Sequence, residues 1–592
     1  MLSRDRILPE NNLPAAAELI AAGRQLAEQV RVAPCPFLSE YGVDCEDTYK
    51  RARMAEGTVM LHAQVGYRDA EKSRRAYADI HATLARDGIR LDRYGICLDW
   101  SMGYPADRRP HMPRGTGLIL DSPRAFADLS ACAPVAPHFG DFVLGTPAAL
   151  ENTVAALGAG ATSIGNLGQF FTFRQPHWDD DVTTTAETVK ALALIAAQPE
   201  SILVHSNLDD GFAATFRDAA CALGAVLMER YIGEDLLGAQ VAHCYGHTYS
   251  DPCLRLAFQR ALAATGGGPG TMVYGNTTLY GSDRAGNYAA LASYLLVDIY
   301  AQRTRPSGHA VNPVPVTEAE RIPEVDEIVD AHRFAARLLE RSAPLDALID
   351  DGNADRLAQQ LLAGGKRFRD QVLSGLSAAG VDTGDAFELL LSLRRVGARE
   401  LEAHFGPGEM QDTPRGPRRG QIVASATLSD LENKGHALAE ALDVEQRALI
   451  RQAGFTACLA TTDVHEYGKV MVESVLADLA VSVVDGGVST DPQVLAQRAL
   501  AGRADFIAIS TYNGIALDFV HALKEALADL GVSAPVFIGG KLNQVPESSN
   551  TSLPVDVSEE IRRAGAVPCP TVADMIADLV TLARETSGTG TV

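Results

Sequence analysis

FTACLATTDVHEYGKVMVESVLADLA, residues 455–480, decides how the carboxyl-terminal part of the chain folds. It opens on a small, apolar run ending in two threonines, the pattern of a buried strand. It closes on KVMVESVLADLA (469–480), which has an apolar face at helical spacing. Between them stand Asp463, His465 and Gly468, in the pattern Asp-x-His-x-x-Gly. The bland reading is a loop with two polar residues and a turn glycine. The alternative is a ligand site at the carboxyl end of a strand.

Working outward, the same alternation repeats. VSVVDGG (481–487), ADFIAISTYNG (504–514) and APVFIGGKL (534–542) read as strands. DPQVLAQRALAG (491–502), ALDFVHALKEALADLG (516–531), SEEIRRAGA (558–566) and VADMIADLVTLA (572–583) read as helices, with VPCPT before the last. Five strands alternating with helices over 454–592 predict a flavodoxin-like, doubly wound domain. Ligands of such domains sit beyond the carboxyl ends of the strands. A histidine there can hold a metal through one ring nitrogen, while a carboxylate two residues earlier fixes the other N–H. Gly468 lets a bulky group approach the backbone. Ser510 and Thr511 bring hydroxyls to the next strand end, and Gly539 and Gly540 remove side chains from the one after. Together they predict a slot along the sheet edge with an imidazole at its mouth.

The rest of the chain is larger. At 592 residues it exceeds one core, and two to four domains are expected. From about 58 to 320, eight short runs alternate with helical patterns: 57–66, 94–103, 141–147, 162–168, 201–211, 239–246, 271–277 and 307–314. Eight such strands predict a parallel (β/α)8 barrel, although a doubly wound open sheet gives a similar pattern. Residues 318–403 read as mainly helical, FGPGEMQDTPRGPRRGQ (405–421) as a linker, and 428–454 as one connecting helical stretch. The expected organisation is an extension (1–56), a catalytic barrel with carboxyl-terminal helices (57–404), a linker and helix (405–453), and the domain 454–592.

A formal charge of −23 argues against nucleic acid or an anionic membrane as partner, because both need clustered Lys and Arg. The amino terminus shows no secretory pattern. NYAALASYLLVDIY (287–300) is too short to span a bilayer and carries Asp298. Nine cysteines without CxxC pairs are expected to be reduced thiols in a cytoplasmic protein.

With DVHEYG, STYNG and IGGK in place, residues 455–592 resemble the cobalamin-binding domain of vitamin-B12-dependent mutases and methionine-synthase-type methyltransferases. The resemblance implies that His465 is the lower ligand to cobalt and Asp463 its hydrogen-bonded partner. Gly468 would let the nucleotide tail pass. Ser510, Thr511, Gly539 and Gly540 would line the tail pocket, with Thr571 in the PCPT turn at its far side. Tyr512 stands where that family usually has leucine, which bears on tail packing rather than on cobalt.

The barrel half resembles the catalytic subunit of glutamate mutase (methylaspartate mutase), with the two parts fused here in one chain. The similarity lies in VLGTP (143–147), ATSIGNLG (161–168), LMERYIG (227–233), MVYGNT (272–277) and SGHAVNPVPVTEA (307–319). It implies adenosylcobalamin-dependent radical isomerisation of a small carboxylic or amino acid. The arginines that clamp a dicarboxylate in that family are missing: Val65 and Val143 stand at the matching turns. Asn166 falls in the segment where that family has an acid, and Ala310 replaces another. Glutamate is therefore not the expected substrate. Arg114, Arg174 and Asn166 are candidate substrate contacts, the arginines having ordinary surface roles as the alternative. Glu229 and Arg230 resemble a substrate-site pair in swapped order, or are a structural ion pair. AHCYGHTYSDPC (242–253) offers His243 and Tyr245 as pocket residues; its spacing fits no standard zinc pattern. The expected catalytic set is Glu229, Arg230, His243 and Tyr245. Expected partners are cobalamin and a small-molecule substrate, with no nucleic acid and no membrane, in a homodimer. The rival functions are a methylcobalamin-dependent methyltransferase, which would bring a four-helix cap, and a corrinoid carrier or sensor. A pyridoxal enzyme would need a Schiff-base lysine at a strand end, and none of the few barrel lysines stands at one cleanly.

Overall fold

The computed structural model describes residues 2–592 except 116, 319, 414–415, 464–465, 513, 545–553 and 589–592. The chain forms two compact units, Met1–Phe171 with Asp179–Ser425, and Thr172–Trp178 with Ala426–Val592.

In the first unit, six parallel strands pair in chain order: β1 (His62–Val65), β2 (Arg93–Ile96), β3 (Ala136–Phe139), β4 (Ser163–Ile164), β5 (Leu203–Ser206) and β6 (Gln240–His243). Two more, β7 (Met272–Val273) and β8 (Ala310–Val311), pair with each other. Single parallel bridges link Tyr245 to Val273 and Leu61 to Val311. Almost every residue of these strands is buried, as expected where both faces of a parallel sheet are covered. Helices follow the strands and cap in the usual way. Helix Asp181–Ala196 starts on Asp180, whose carboxylate accepts the Thr183 N–H at 2.8 Å.

Helix Glu46–Ala55 closes the amino-terminal ends of the strands. Lys50 Nζ donates to the carbonyls of Thr271 (2.8 Å) and Gly308 (2.7 Å), just ahead of β7 and β8. Arg93 Nε donates to Glu46 at 2.8 Å and Arg93 Nη2 to Ser163 at 2.8 Å. Residues 1–56 thus supply buried charges to the same core as the strands. Burial lowers the Lys50 ammonium to about 8, with Glu46 opposing the fall.

Three sequence expectations need correction. The third strand is not DFVLGTP (141–147) but APHF (136–139), which ends before it. Pro137 and His138 are poor strand formers, and the apolar 141–147 run bends instead, with Phe142 at φ 58°. The linker stretch contains an antiparallel pair, β9 (Met410–Thr413) with β10 (Gly416–Arg419). The single helical stretch 428–454 is two helices, Ala426–Glu440 and Val444–Ala453. Asp443 breaks them apart because it caps the second, with Gln446 closing a reciprocal capping box.

In the second unit, β11 (Thr456–Thr461), β12 (Ser482–Gly487), β13 (Phe506–Thr511), β14 (Val536–Gly540) and β17 (Val567–Cys569) form one parallel sheet in the order β12-β11-β13-β14-β17. The short β15 (Asn543–Gln544) and β16 (Val555–Asp556) pair beside it. This is the doubly wound order 2-1-3-4-5, whose direction reverses between β11 and β13. The chain is therefore a mixed α/β protein built on parallel sheets.

Candidate functional site

The second unit gathers its polar strand ends where the strand order reverses. Asp463, just past β11, is 5% exposed. Its Oδ2 accepts the Tyr512 N–H at 2.9 Å and the Thr462 hydroxyl at 3.0 Å. Thr462 Oγ1 also lies 2.9 Å from Thr511 Oγ1, within hydrogen-bond reach of that hydroxyl. Carboxylate and hydroxyls thus stitch the end of β11 to the end of β13. His465 lies outside the described residues.

Gly468 opens helix Tyr467–Asp478, and a β-carbon there would fall 2.3 Å from Ser510 Oγ. Only glycine lets the helix start this close to β13. Gly540 has φ 102°, and a β-carbon on it would meet the Thr511 carbonyl at 2.3 Å. Ser510 and Gly539 are half-buried and Gly540 exposed, so this edge of the sheet offers hydroxyl and bare backbone to a ligand. Thr571 is exposed, and its N–H and hydroxyl both reach Asp574 Oδ2, at 2.9 and 2.7 Å. Beside the turn, Lys469 is buried and pairs with Asp485 at 2.5 Å. Tyr512, at the position of the family leucine, is exposed.

The first unit has a separate cavity of about 70 Å³ at the carboxyl ends of its strands. Its lining comes from alternate strands: Gln64 of β1, His138, Gly140 and Asp141 of β3 and its end, His205, Asn207 and Asp210 of β5 and its end, and Met272 and Tyr274 of β7 and its end, with His247. His138 Nδ1 stands 3.1 Å from the Ser163 carbonyl and 3.2 Å from the Ser163 hydroxyl; the carbonyl can only accept, so the tautomer that satisfies it carries the proton on Nδ1. His138 Nε2 is then a buried acceptor, and it has no partner. A β-carbon on Gly140 would lie 2.5 Å from it, so glycine keeps the space in front of that nitrogen open. Burial, with Arg93 next, holds His138 well below the usual imidazole range. His205 is lowered for the same reasons and shares a hydrogen bond between Nδ1 and Thr271 Oγ1 at 2.8 Å. Burial pushes Asp141 up to about 6, and the charge of Asp210 adds to the rise. His247 stacks on Tyr274 at 3.9 Å and lies 3.8 Å from Asp210.

Asn166 is buried beside this cavity. Its Oδ1 accepts the N–H groups of Gly168 (3.0 Å) and Asn207 (2.8 Å), which orders the two strand ends.

The expected catalytic four are placed differently. In β5, His205 points inward; Ser206, next along, points out to Glu229 (2.8 Å) on helix Ala219–Arg230. His243, paired in register with Ser206, points the same way, and its Nε2 meets Glu229 Oε2 at 2.8 Å. The alternation of strand side chains thus puts this pair behind the sheet. Burial raises Glu229 to about 8 and drives His243 well down, so the two share one proton at neutral pH. Arg230 bonds to Thr265 and the Gly266 carbonyl and faces Glu234. Tyr245 packs in the apolar core against Phe258, Tyr249 and His309. None of the four lines the cavity. Arg114 is exposed, and so is Arg174, which belongs to the second unit. The cavity residues most easily missed were His138 and Asp141, which flank the true end of the third strand. HSNLDDG (205–211), inside the fifth expected run, supplies three of the lining residues.

Residues 457–558 match the family model of the B12 binding domain. A solved structure described as a novel cobalamin-binding protein from Desulfitobacterium hafniense DCB-2 is 22% identical, covering 27% of this chain and 70% of that one, with a TM-score of 0.20. No curated protein matches. The family match supports cobalamin binding by the second unit. No helix among the described residues is long and apolar enough to cross a membrane.

Proposed function

We propose that the chain is an adenosylcobalamin-dependent carbon-skeleton mutase acting on a small carboxylic or amino acid. The observation that carries this reading is a buried polar cavity at parallel strand ends, in the same chain as a B12-binding domain. The bridges Tyr245–Val273 and Leu61–Val311 support a ring of eight parallel strands, a (β/α)8 barrel, with the cavity at its carboxyl end.

The strand-end residues of the second unit suit cobalamin. Gly468, Ser510, Gly539 and Gly540 offer close backbone and a hydroxyl, and Asp463 and Thr511 fix the turn between them. Thr571 stands at the far side. In this reading His465 is the cobalt ligand, from its place in Asp-x-His-x-x-Gly. When bound, adenosylcobalamin supplies radical chemistry through its cobalt–carbon bond. The barrel residues hold and orient the substrate and exclude water. Glu229, Arg230, His243 and Tyr245 have no direct part in this scheme; they hold helix and sheet together.

The test is electron paramagnetic resonance of the protein with adenosylcobalamin, screened over small acids and amino acids. A cobalt(II)–organic radical signal with any of them supports the mutase. Silence there, with turnover on methylcobalamin, would replace it with a methyltransferase. Against that rival, among the described residues two helices rather than four precede the sheet of the second unit.

A further inference from the structure

We infer, resting on the reading of the first-unit cavity as the substrate site, that it receives a protonated amino group and no carboxylate. Its lining holds two carboxylates and two buried acceptors without partners. Asp141 and Asp210 bring two carboxylates to one small space. His138, 1% exposed, turns the lone pair of Nε2 into it with no partner. Asn207, 6% exposed, leaves its Oδ1 without a donor. These two orphaned acceptors point to a missing donor group, because buried polar atoms are rarely left unpaired.

Of the donors nearby, one is engaged and another stands beside a carboxylate. Gln64 Nε2 donates to Cys97 Sγ at 2.8 Å, and His247 lies against Asp210. No arginine or lysine lines the cavity among the described residues. Arg93, the cation that lowers both His138 and His205, is committed to Glu46 and Ser163, with Nη1 against His62 Nδ1 at 3.3 Å. A substrate carboxylate in this cavity would meet two like charges and two acceptors. An ammonium, with three N–H donors, would reach both orphaned acceptors and one carboxylate, and would offset the charge of Asp210 that adds to burial in raising Asp141.

The experiment is calorimetric titration of the full chain, free of cobalamin, with ethanolamine and 1,3-diaminopropane as cations and succinate and glutarate as dianions. The amines should bind, and Asp141→Asn or Asp210→Asn should weaken them by about tenfold or more. The dianions should not bind. If Asp141→Asn loses the native circular dichroism spectrum, Asp210→Asn carries the test, because Asp210 is part-exposed. Amine binding unchanged in Asp210→Asn, succinate binding to the wild type that is lost on blocking with Gly140→Ala, or no amine binding at about 10 mM would each overturn the assignment. A radical signal with a dicarboxylate but no amine binding removes this substrate class and leaves the mutase. Amine binding without a radical signal removes the mutase and leaves the cation site.

Discussion

The Asp463 carboxylate holds the Tyr512 N–H at 2.9 Å, so the turn after β11 is anchored to the end of β13 across the point where strand order reverses. Its Oδ2 also takes the Thr462 hydroxyl. Asp463→Ala strips both donors of their acceptor and frees the turn. Cobalamin affinity should fall about 10- to 100-fold, read by absorption titration, while Asp463→Asn, which keeps one acceptor oxygen, should lose less. Equal affinities for wild type and Asp463→Ala would show that the turn needs no anchor.

Gly468 is expected to tolerate no side chain while Ser510 keeps its hydroxyl. Gly468→Ala forces a contact of 2.3 Å, an overpacking strain of about 1–3 kcal/mol. Cobalamin binding should weaken, and Gly468→Ala with Ser510→Ala should regain part of it, since the clashing atom is gone. A double variant no better than the single one would place the fault elsewhere.

His465→Gly should abolish the change in cobalamin absorption that marks replacement of the cofactor's own lower ligand by a protein imidazole. The cofactor should still bind, more weakly, through the remaining strand-end contacts. A bound spectrum identical to the wild type's would mean that His465 does not ligate cobalt.

The sequence told the two halves unequally. The second unit was readable nearly strand by strand, because its runs are long and each strand end carries a marked residue: Asp463, Ser510, Gly539. The first unit was readable as an alternation but not in register. Its strands are as short as two residues, Ser163–Ile164 and Met272–Val273, and Pro137 hides one of them. That slip mattered for the site, since His138 and Asp141 flank the true end of β3. Of the four residues expected to be catalytic, His243 and Tyr245 are near a strand end and Glu229 and Arg230 close a helix. Which face of the sheet each occupied depended on registers such as Ser206 opposite His243, which no single chain segment reveals.

The Glu229–His243 pair predicts how stability of the first unit depends on pH. Glu229 is raised from its ordinary 4.5 to about 8, so above 4.5 the unfolded chain gives up a proton that the folded chain keeps. Its contribution is complete below 4.5 and lost as pH climbs through 8. His243 is lowered from 6.5, so its contribution is complete above 6.5 and lost as pH falls below it. The two slopes oppose between 4.5 and 6.5. From 6.5 to about 8 only the Glu229 slope remains, and stability should fall by on the order of 1 kcal/mol per pH unit. Glu229→Gln, whose amide can still donate to His243 and accept from Ser206, should flatten that slope in denaturant titrations run across this range. A slope kept in Glu229→Gln would assign it to another group.

Lys50 reaches carbonyls at Thr271 and Gly308, the latter 258 residues further along the chain. During synthesis this lysine therefore emerges long before either acceptor exists. Until residue 308 has left the ribosome, Lys50 lacks the second of these two carbonyls. The segments that enter the last two strands of the first unit thus set the moment at which this buried lysine can gain its carbonyl partners, and a nascent chain halted ahead of them carries an ammonium without them.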